Sequence, residues 1–521
     1  MPMMLAVFGP YDWAVLVAYF ALVTVVGVAV ARKEQNADEY FLGHRSIPAW
    51  AAALSLVATM LSAATFVGVP DAAFATDISY LSLSIGGIIA VFIVGLIFVP
   101  RLYHAGSVTI YGFIGQRYGD NARMAISCMF ILGRLLASGS RLFMAALPVC
   151  LLMFGAKQPS LEQLILSICL ITAVGTFYTT IGGVRAVVWV DVIQLIIVIG
   201  TAFLSIWLLL HRIPLHFGQI FQLLAHSNSK GHDTSKLHLL GFSFDPTLNY
   251  TFWTAIIGGT FLNTATYGVD QDLAQRFLVT RSAWRGSISV ISAQLISIVV
   301  ICLFLFIGLL LYIFYQRPEV MHANHGTPAN GISIYPWFLL NELPTVFSGI
   351  SIAGFFAIAQ GSMDSAMNAL ASSIVADIWL PLRARRNPQA PAQTQQHASK
   401  FIVAAVGVLL CAFAIFCAII YNPEKKTLLD FALGVMTFAF SGMLGVFLAA
   451  LLTRRGNGAS VIVALLMGVL MVTLLQDRIM QWWTGHLFGS PHTLAWPWWM
   501  PIGTTASFIC CVLGSPKRRD V

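Results

Sequence analysis

Apolar runs of roughly 20 residues recur along this chain, separated by short polar or charged segments. Each is long enough to cross a bilayer as a helix. The pattern predicts roughly 13 spans. They lie near residues 11–31, 48–70, 78–100, 124–154, 160–181, 186–210, 248–270, 286–315, 343–380, 399–421, 427–453, 458–476 and 496–514. The ninth exceeds what a bilayer needs and is expected to run on as a helix beyond it. Two spans carry interruptions. The second reads Ala58-Thr59-Met60-Leu61-Ser62-Ala63-Ala64-Thr65-Phe66-Val67-Gly68-Val69-Pro70, and the seventh ends Asn263-Thr264-Ala265-Thr266-Tyr267-Gly268-Val269-Asp270-Gln271. Small, hydroxylated and Gly/Pro residues let such segments unwind at mid-membrane, where bare backbone is tolerated only beside a cavity.

Composition agrees with an all-α polytopic membrane protein. The 521 residues are 58% hydrophobic and 10% charged, against about 25% charged in soluble domains. The residues from 1 to 521 read as a single polytopic domain. Its core is 48–453, with an extra N-terminal span at 11–31 and peripheral C-terminal spans at 458–514. Segments 211–250 and 316–342 are polar loops, and 383–400 reads as a flexible linker. None is large enough for a separate domain.

Charge sets an expected orientation. With the N-terminus outside, 19 of the 29 Lys and Arg residues fall on inner loops, Arg276 among them, and eight on outer loops, Lys236 among them. Arg134 and Arg141 fall within a span. This is the positive-inside bias, and it places the C-terminus in the cytoplasm. The net charge of +8 is therefore topological. No nucleic-acid partner and no obligatory protein partner is expected, only the lipid bilayer. No cleavable signal is evident in the first twelve residues, which favours a bacterial inner membrane. The eight cysteines all fall in spans, away from metal-ligand spacing. No P-loop is present, so neither ATP drive nor an enzyme reading is supported.

Candidate chemistry centres on Asp364, inside Ala359-Gln-Gly-Ser-Met-Asp-Ser-Ala-Met-Asn368. A carboxylate at membrane depth costs about 3 kcal/mol on insertion scales and usually faces an ion path or cavity. Gly361, Ser362, Ser365 and Asn368 share a helix face of hard oxygen donors. This points to a sodium site in a secondary transporter. The two interrupted spans, five apart, fit a 5+5 inverted repeat with the site between its halves. Arg134 and Arg141 lie two turns apart on one face, and a buried Arg binds carboxylates in bidentate fashion. Helix position adds Asn263, Thr266, Tyr267, Gln271 and Gln360 as polar cavity lining and Phe143 as an apolar wall.

Four motifs in order resemble the sodium/solute symporter family, which includes sodium-coupled sugar, proline, iodide, sialic acid and monocarboxylate carriers. They are Phe41-Leu-Gly-His-Arg-Ser-Ile-Pro-Ala-Trp50, Gly182-Gly-Val-Arg-Ala-Val-Val-Trp-Val-Asp-Val-Ile-Gln194, Gly268-Val-Asp-Gln-Asp-Leu-Ala-Gln-Arg276 and Gly361-Ser-Met-Asp-Ser-Ala-Met-Asn368. The resemblance implies a LeuT-type fold with an extra N-terminal helix, working by alternating access. It implies a main sodium site from the carbonyls of Ala58, Leu61 and Ile358 and the hydroxyl of Ser362. The family usually has two adjacent hydroxyls there. Gly361 leaves one oxygen missing, which its own carbonyl or a water would replace. A second sodium site maps to Asp191, Asp364 and Ser365. The run Leu61 to Phe66 looks like the sialic acid branch, in which the residues matching Ser62 and Thr65 hold a substrate carboxylate. The expected function is therefore sodium-coupled import of a small organic solute bearing a carboxylate. A neutral solute, proton coupling, or a channel or sensor on the same fold are the alternatives.

Overall fold

The first helix, α1 (Pro10–Val30), is apolar along its whole length, yet its first turn carries a buried acid. Asp12 Oδ1 accepts from the backbone N–H groups of Val346 and Gly349 and from the Ser348 hydroxyl, at 2.7 to 2.9 Å. Those donors open the long helix Phe347–Ser373. A carboxylate there satisfies N–H groups that a helix N-terminus leaves unpaired and suits its positive end. The N-terminal span is thus pinned to the helix that carries the Asp364 motif.

This is a computed structural model, and it describes residues 9–30, 37–154, 160–227, 235–322, 326, 333–344, 346–386, 392–420 and 428–515. The described residues are mostly helical, with isolated bridges at Ile47–Thr280 and Gly241–Thr251. After α1 come α2 (Ala49–Met60), α3 (Ala63–Ala75), α4 (Ser79–His104), α5 (Asp120–Phe154) and α6 (Leu161–Arg212). Then follow α7 (Gly259–Val269), α8 (Gln271–Leu278), α9 (Ala283–Gln316) and α10 (Phe347–Ser373). The chain closes with α11 (Ala392–Ile420), α12 (Leu428–Leu452), α13 (Gly458–Leu474), α14 (Asp477–Phe488) and α15 (Trp499–Leu513). Among the described residues, seven helices are long and apolar enough to cross a membrane. The number is nine if each of two bent pairs, α2 with α3 and α13 with α14, is one span.

The fifth and sixth spans follow one another in α6 and part at Gly183, whose backbone (φ 55°, ψ −161°) is not helical. Only glycine tolerates that backbone, and a Cβ there would sit 2.8 Å from the Tyr40 carbonyl. The structure changes three expectations. The seventh span does not unwind over 263–269. It stays helical to Val269 and breaks at Asp270, whose extended backbone and side chain cap α8. Residues 383–386 and 392–400 are helical, not linker, since Ala, Arg and Gln are good helix formers. Two charges assigned to loops are buried. Arg276 is fully enclosed. Lys236 donates to the Phe74 carbonyl at 2.7 Å, at the C-terminal end of α3, and stands 4.3 Å over the Tyr312 ring. Lys and Arg at 32–33, 157, 230, 425–426 and 517–519 lie outside the described residues.

The long ninth helix does continue past Ser373 as expected. Its far end is clamped at Asp377, which accepts from Thr109 (2.7 Å), Ser127 (2.8 Å) and Arg123 (2.6 Å). α10 is therefore held at both ends by buried carboxylates, and its middle is buried on every side.

Candidate functional site

The break between α2 and α3 bends the chain by 60°. Leu61 N–H donates to the Val57 carbonyl at 2.9 Å, closing α2, while Leu61 and Ser62 are extended. Carbonyls from Ala58 onward thus lie past the last bond of that helix and have lone pairs to offer. The Ser62 carbonyl is used, accepting from Thr65 and Phe66 N–H. Facing this break is α10. Thr59 and Ser365 hydroxyls stand 3.2 Å apart across the α2/α10 contact. Ser362, one turn from Ser365 on α10, has its hydroxyl 3.3 Å from the Ala359 carbonyl. Ile358 is mid-helix, so its carbonyl has only a second lone pair for an ion. Gly361 faces α6.

Behind the break lies a buried ionic chain. Asp191 Oδ2 accepts from the Ser55 hydroxyl (2.5 Å) and from Arg276 Nη2 (3.3 Å). Arg276 also donates to Ser365 Oγ at 2.5 Å and lies 3.7 Å from Asp272. Arg134 donates to Asp272 and, at 2.8 Å, to Asp270. The order is Asp191, Arg276, Asp272, Arg134, Asp270, joining α6, α8 and α5. All five are buried. Isolated buried charges are too costly to keep, so each is paired.

Asp364 is the exception. It is fully buried, and among the described residues neither carboxylate oxygen has a hydrogen-bond partner. Gly175 on α6 makes room for it: a Cβ there would come within 2.7 Å of Asp364 Oδ1. Asp191 and Asp364, expected to share an ion, thus stand in different surroundings, one with a protein cation and one without.

The remaining candidates separate. Ser62 and half-buried Thr65 flank the break at the start of α3, which packs against α5. α5 also carries Arg141 and Phe143, the latter buried. Arg134 is committed to two protein carboxylates. Gln360 turns to α1, where its Oε1 accepts from the Tyr19 hydroxyl at 2.8 Å. Asn263 and Thr266 are half-buried on α7 and donate to their own helix, at Gly259 and Leu262. Tyr267 donates to Gln294 (3.0 Å), and Gln271 accepts from Ile110 N–H (3.0 Å). Ser55, Thr59, Asp272 and Arg276 are site residues that sequence reasoning missed. The Asp272–Arg276 spacing, four apart on one helix, was the readable signal.

Known proteins share this sequence pattern and this arrangement of helices. A family pattern described as the sodium:solute symporter family matches residues 40–468. The chain is 28% identical over 480 residues to the sodium/sialic acid symporter of Proteus mirabilis, covering 89% of each. It is 27% identical over 468 residues to the sodium/sialic acid symporter of Aliivibrio fischeri, covering 89% of this chain and 87% of that one. It is 25% identical to human sodium-coupled monocarboxylate transporter 1, covering 90% and 73%. A solved substrate-bound, outward-open Na+-coupled sialic acid symporter superposes with a TM-score of 0.80 at 24% identity, covering 97% and 98%.

Proposed function

This chain belongs to the sodium:solute symporter family, and on that premise we propose that it imports a small carboxylate-bearing solute, with sialic acid the first candidate, driven by sodium. The observation that carries the reading is the interruption at Leu61 and Ser62, next to which Thr59 meets Ser365 of α10 at 3.2 Å. Oxygen donors from an unwound backbone suit a hard cation, and a helix break beside a cavity is where transporters of this architecture bind their cargo. Sodium is cargo here. The main site takes the carbonyls of Ala58, Leu61 and Ile358, the Ser362 hydroxyl and the Gly361 backbone. The second takes Asp191, Asp364 and Ser365.

Solute binds beside the break, its carboxylate at Ser62 and Thr65 with Arg141 as the charged partner. Asn263 and Thr266 extend the cavity. Arg134 is left out of the pocket, because it already serves Asp270 and Asp272, while Gln360, whose Oε1 serves Tyr19, keeps its amide nitrogen for the solute. Around this site the proposal keeps roughly 13 spans in a LeuT-type 5+5 repeat. It places the protein in a bacterial inner membrane, with its N-terminus outside. Sodium binding closes the α2/α10 contact, orders the solute pocket, and the bundle rocks inward.

Two results test this. Arg141→Gln removes a charge-assisted contact worth about 1.5–3 kcal/mol. The solute concentration for half-maximal uptake in proteoliposomes should therefore rise by about ten- to hundredfold; an unchanged value rejects the carboxylate clamp. Asp191→Asn and Asp364→Asn should each lower the Hill coefficient for sodium towards one, and unaltered sodium dependence in both removes the second site. The unpartnered carboxylate of Asp364 favours one rival reading, coupling to a proton. Concentrative uptake in choline buffer with an inward proton gradient would support that rival, and its absence there excludes it.

A further inference from the structure

Gly361 has no side chain, and α6 fills the space beside it. A Cβ on Gly361 would lie 2.7 Å from Gln194 Oε1 and 3.7 Å from Asp191 Oδ1. Both oxygens are buried, and neither has a hydrogen-bond partner among the described residues. Asp191 and Gln194 are one turn apart on α6, so they look the same way. Two acceptors without a donor among the described residues therefore lie beside the same position of α10. Left bare, each costs desolvation energy, and buried acceptors in native proteins are normally satisfied.

The direction of the Gln194 amide is set by its neighbours. Tyr19 Oη spends its proton on Gln360 Oε1 at 2.8 Å, so it can only accept from Gln194 Nε2, 3.4 Å away. With its nitrogen turned to Tyr19, the amide has its oxygen towards Gly361. Tyr19 is held in turn, since α1 is pinned to α10 through Asp12. Arg276 takes the other oxygen of Asp191, leaving Oδ1 for a second cation.

We propose that Gln194 Oε1 is a further ligand of the second-site sodium ion held at Asp191, with Tyr19 of the N-terminal span as its positioning residue. This rests on the reading of Asp191 as a sodium site. A neutral amide oxygen fits this position because it adds a hard donor without a second negative charge beside Asp191. It also gives the extra N-terminal helix a part in sodium binding.

The test measures uptake of labelled sialic acid and of labelled sodium in proteoliposomes across sodium concentrations. Gln194→Ala should raise the half-saturating sodium concentration by at least about tenfold, and Tyr19→Phe by about tenfold, the usual effect of removing a ligand's orienting partner. Adding Gly361→Ser to Gln194→Ala places a hydroxyl in the vacated space and should recover most of the sodium affinity, which a purely structural loss would not allow. Gln194→Met, of similar length but without the oxygen, covers failure of the alanine variant to fold. If Asp191→Asn shifts sodium dependence while Gln194→Ala and Gln194→Met do not, Gln194 is no ligand and Asp191 still is. If a shift occurs that Gly361→Ser does not reverse, the role is packing and the inference is overturned. If Asp191→Asn also changes nothing, the sodium reading of Asp191 fails with it.

Discussion

Arg134→Gln should destabilise the protein by about 3–5 kcal/mol, the usual result of removing one partner from a buried ion pair. Three carboxylates and two guanidinium groups make up the chain from Asp191 to Asp270, a net charge of −1. Without Arg134, Asp270 and Asp272 stay in a dry interior with the Arg276 guanidinium, 3.7 Å from Asp272, and the more distant Arg141 as their remaining cations. Thermal unfolding in detergent should fall by several degrees, and expression should drop with it. Adding Asp270→Asn restores the original charge balance. Asparagine still offers an oxygen to cap α8, as Asp270 does by accepting from Asp272 N–H at 3.0 Å. The double variant should therefore be more stable than Arg134→Gln alone. Additive destabilisation would show that the chain is not the electrostatic unit its geometry describes.

Collapsing the membrane potential, with the sodium gradient kept, should cut steady-state accumulation by an amount that counts charge. Each positive charge moved inward gains about 2.3 kcal/mol per 100 mV. Two sodium ions with a neutral solute gain about 4.6 kcal/mol, over a thousandfold in accumulation. With one anionic solute the net charge is one, and the factor falls to roughly fiftyfold per 100 mV. Proteoliposomes clamped with potassium and valinomycin, followed with labelled sialic acid, read this ratio. About fiftyfold supports two sodium ions carrying one carboxylate. No voltage effect would mean that no net charge moves, against both counts. Replacing all sodium by choline should abolish accumulation altogether.

Much of the fold was written in the pattern of apolar residues. The helix starts and ends near 30, 154, 212, 316 and 452 follow from composition, because lipid leaves the backbone no choice but to bond within itself. The interruption at Leu61 and Ser62 was visible for the same reason, and so was Asp364, since a charge at that depth must have a purpose. The kink at Gly183 was less so. A tight turn and a sharp bend share the same Gly-Gly signal, and only the close approach of Tyr40 distinguishes them.

The partners of the charged residues were not legible. Arg134 and Arg141 look alike in sequence, two turns apart on one face. Whether either meets a protein carboxylate depends on α8, more than 120 residues away in the chain. Gln360 and Ser365 sit on the same helix, yet one meets Tyr19 of α1 and the other Thr59 of α2, because α10 is enclosed on all sides. Sequence alone thus decided that this is a helical membrane protein with oxygen donors at a broken span. It could do so because the cost of exposing polar groups to lipid acts locally, residue by residue. Tertiary structure decided which buried charge is already answered and which oxygens stay open to a cation. That balance is Coulombic and geometric, set by helices that meet only after folding.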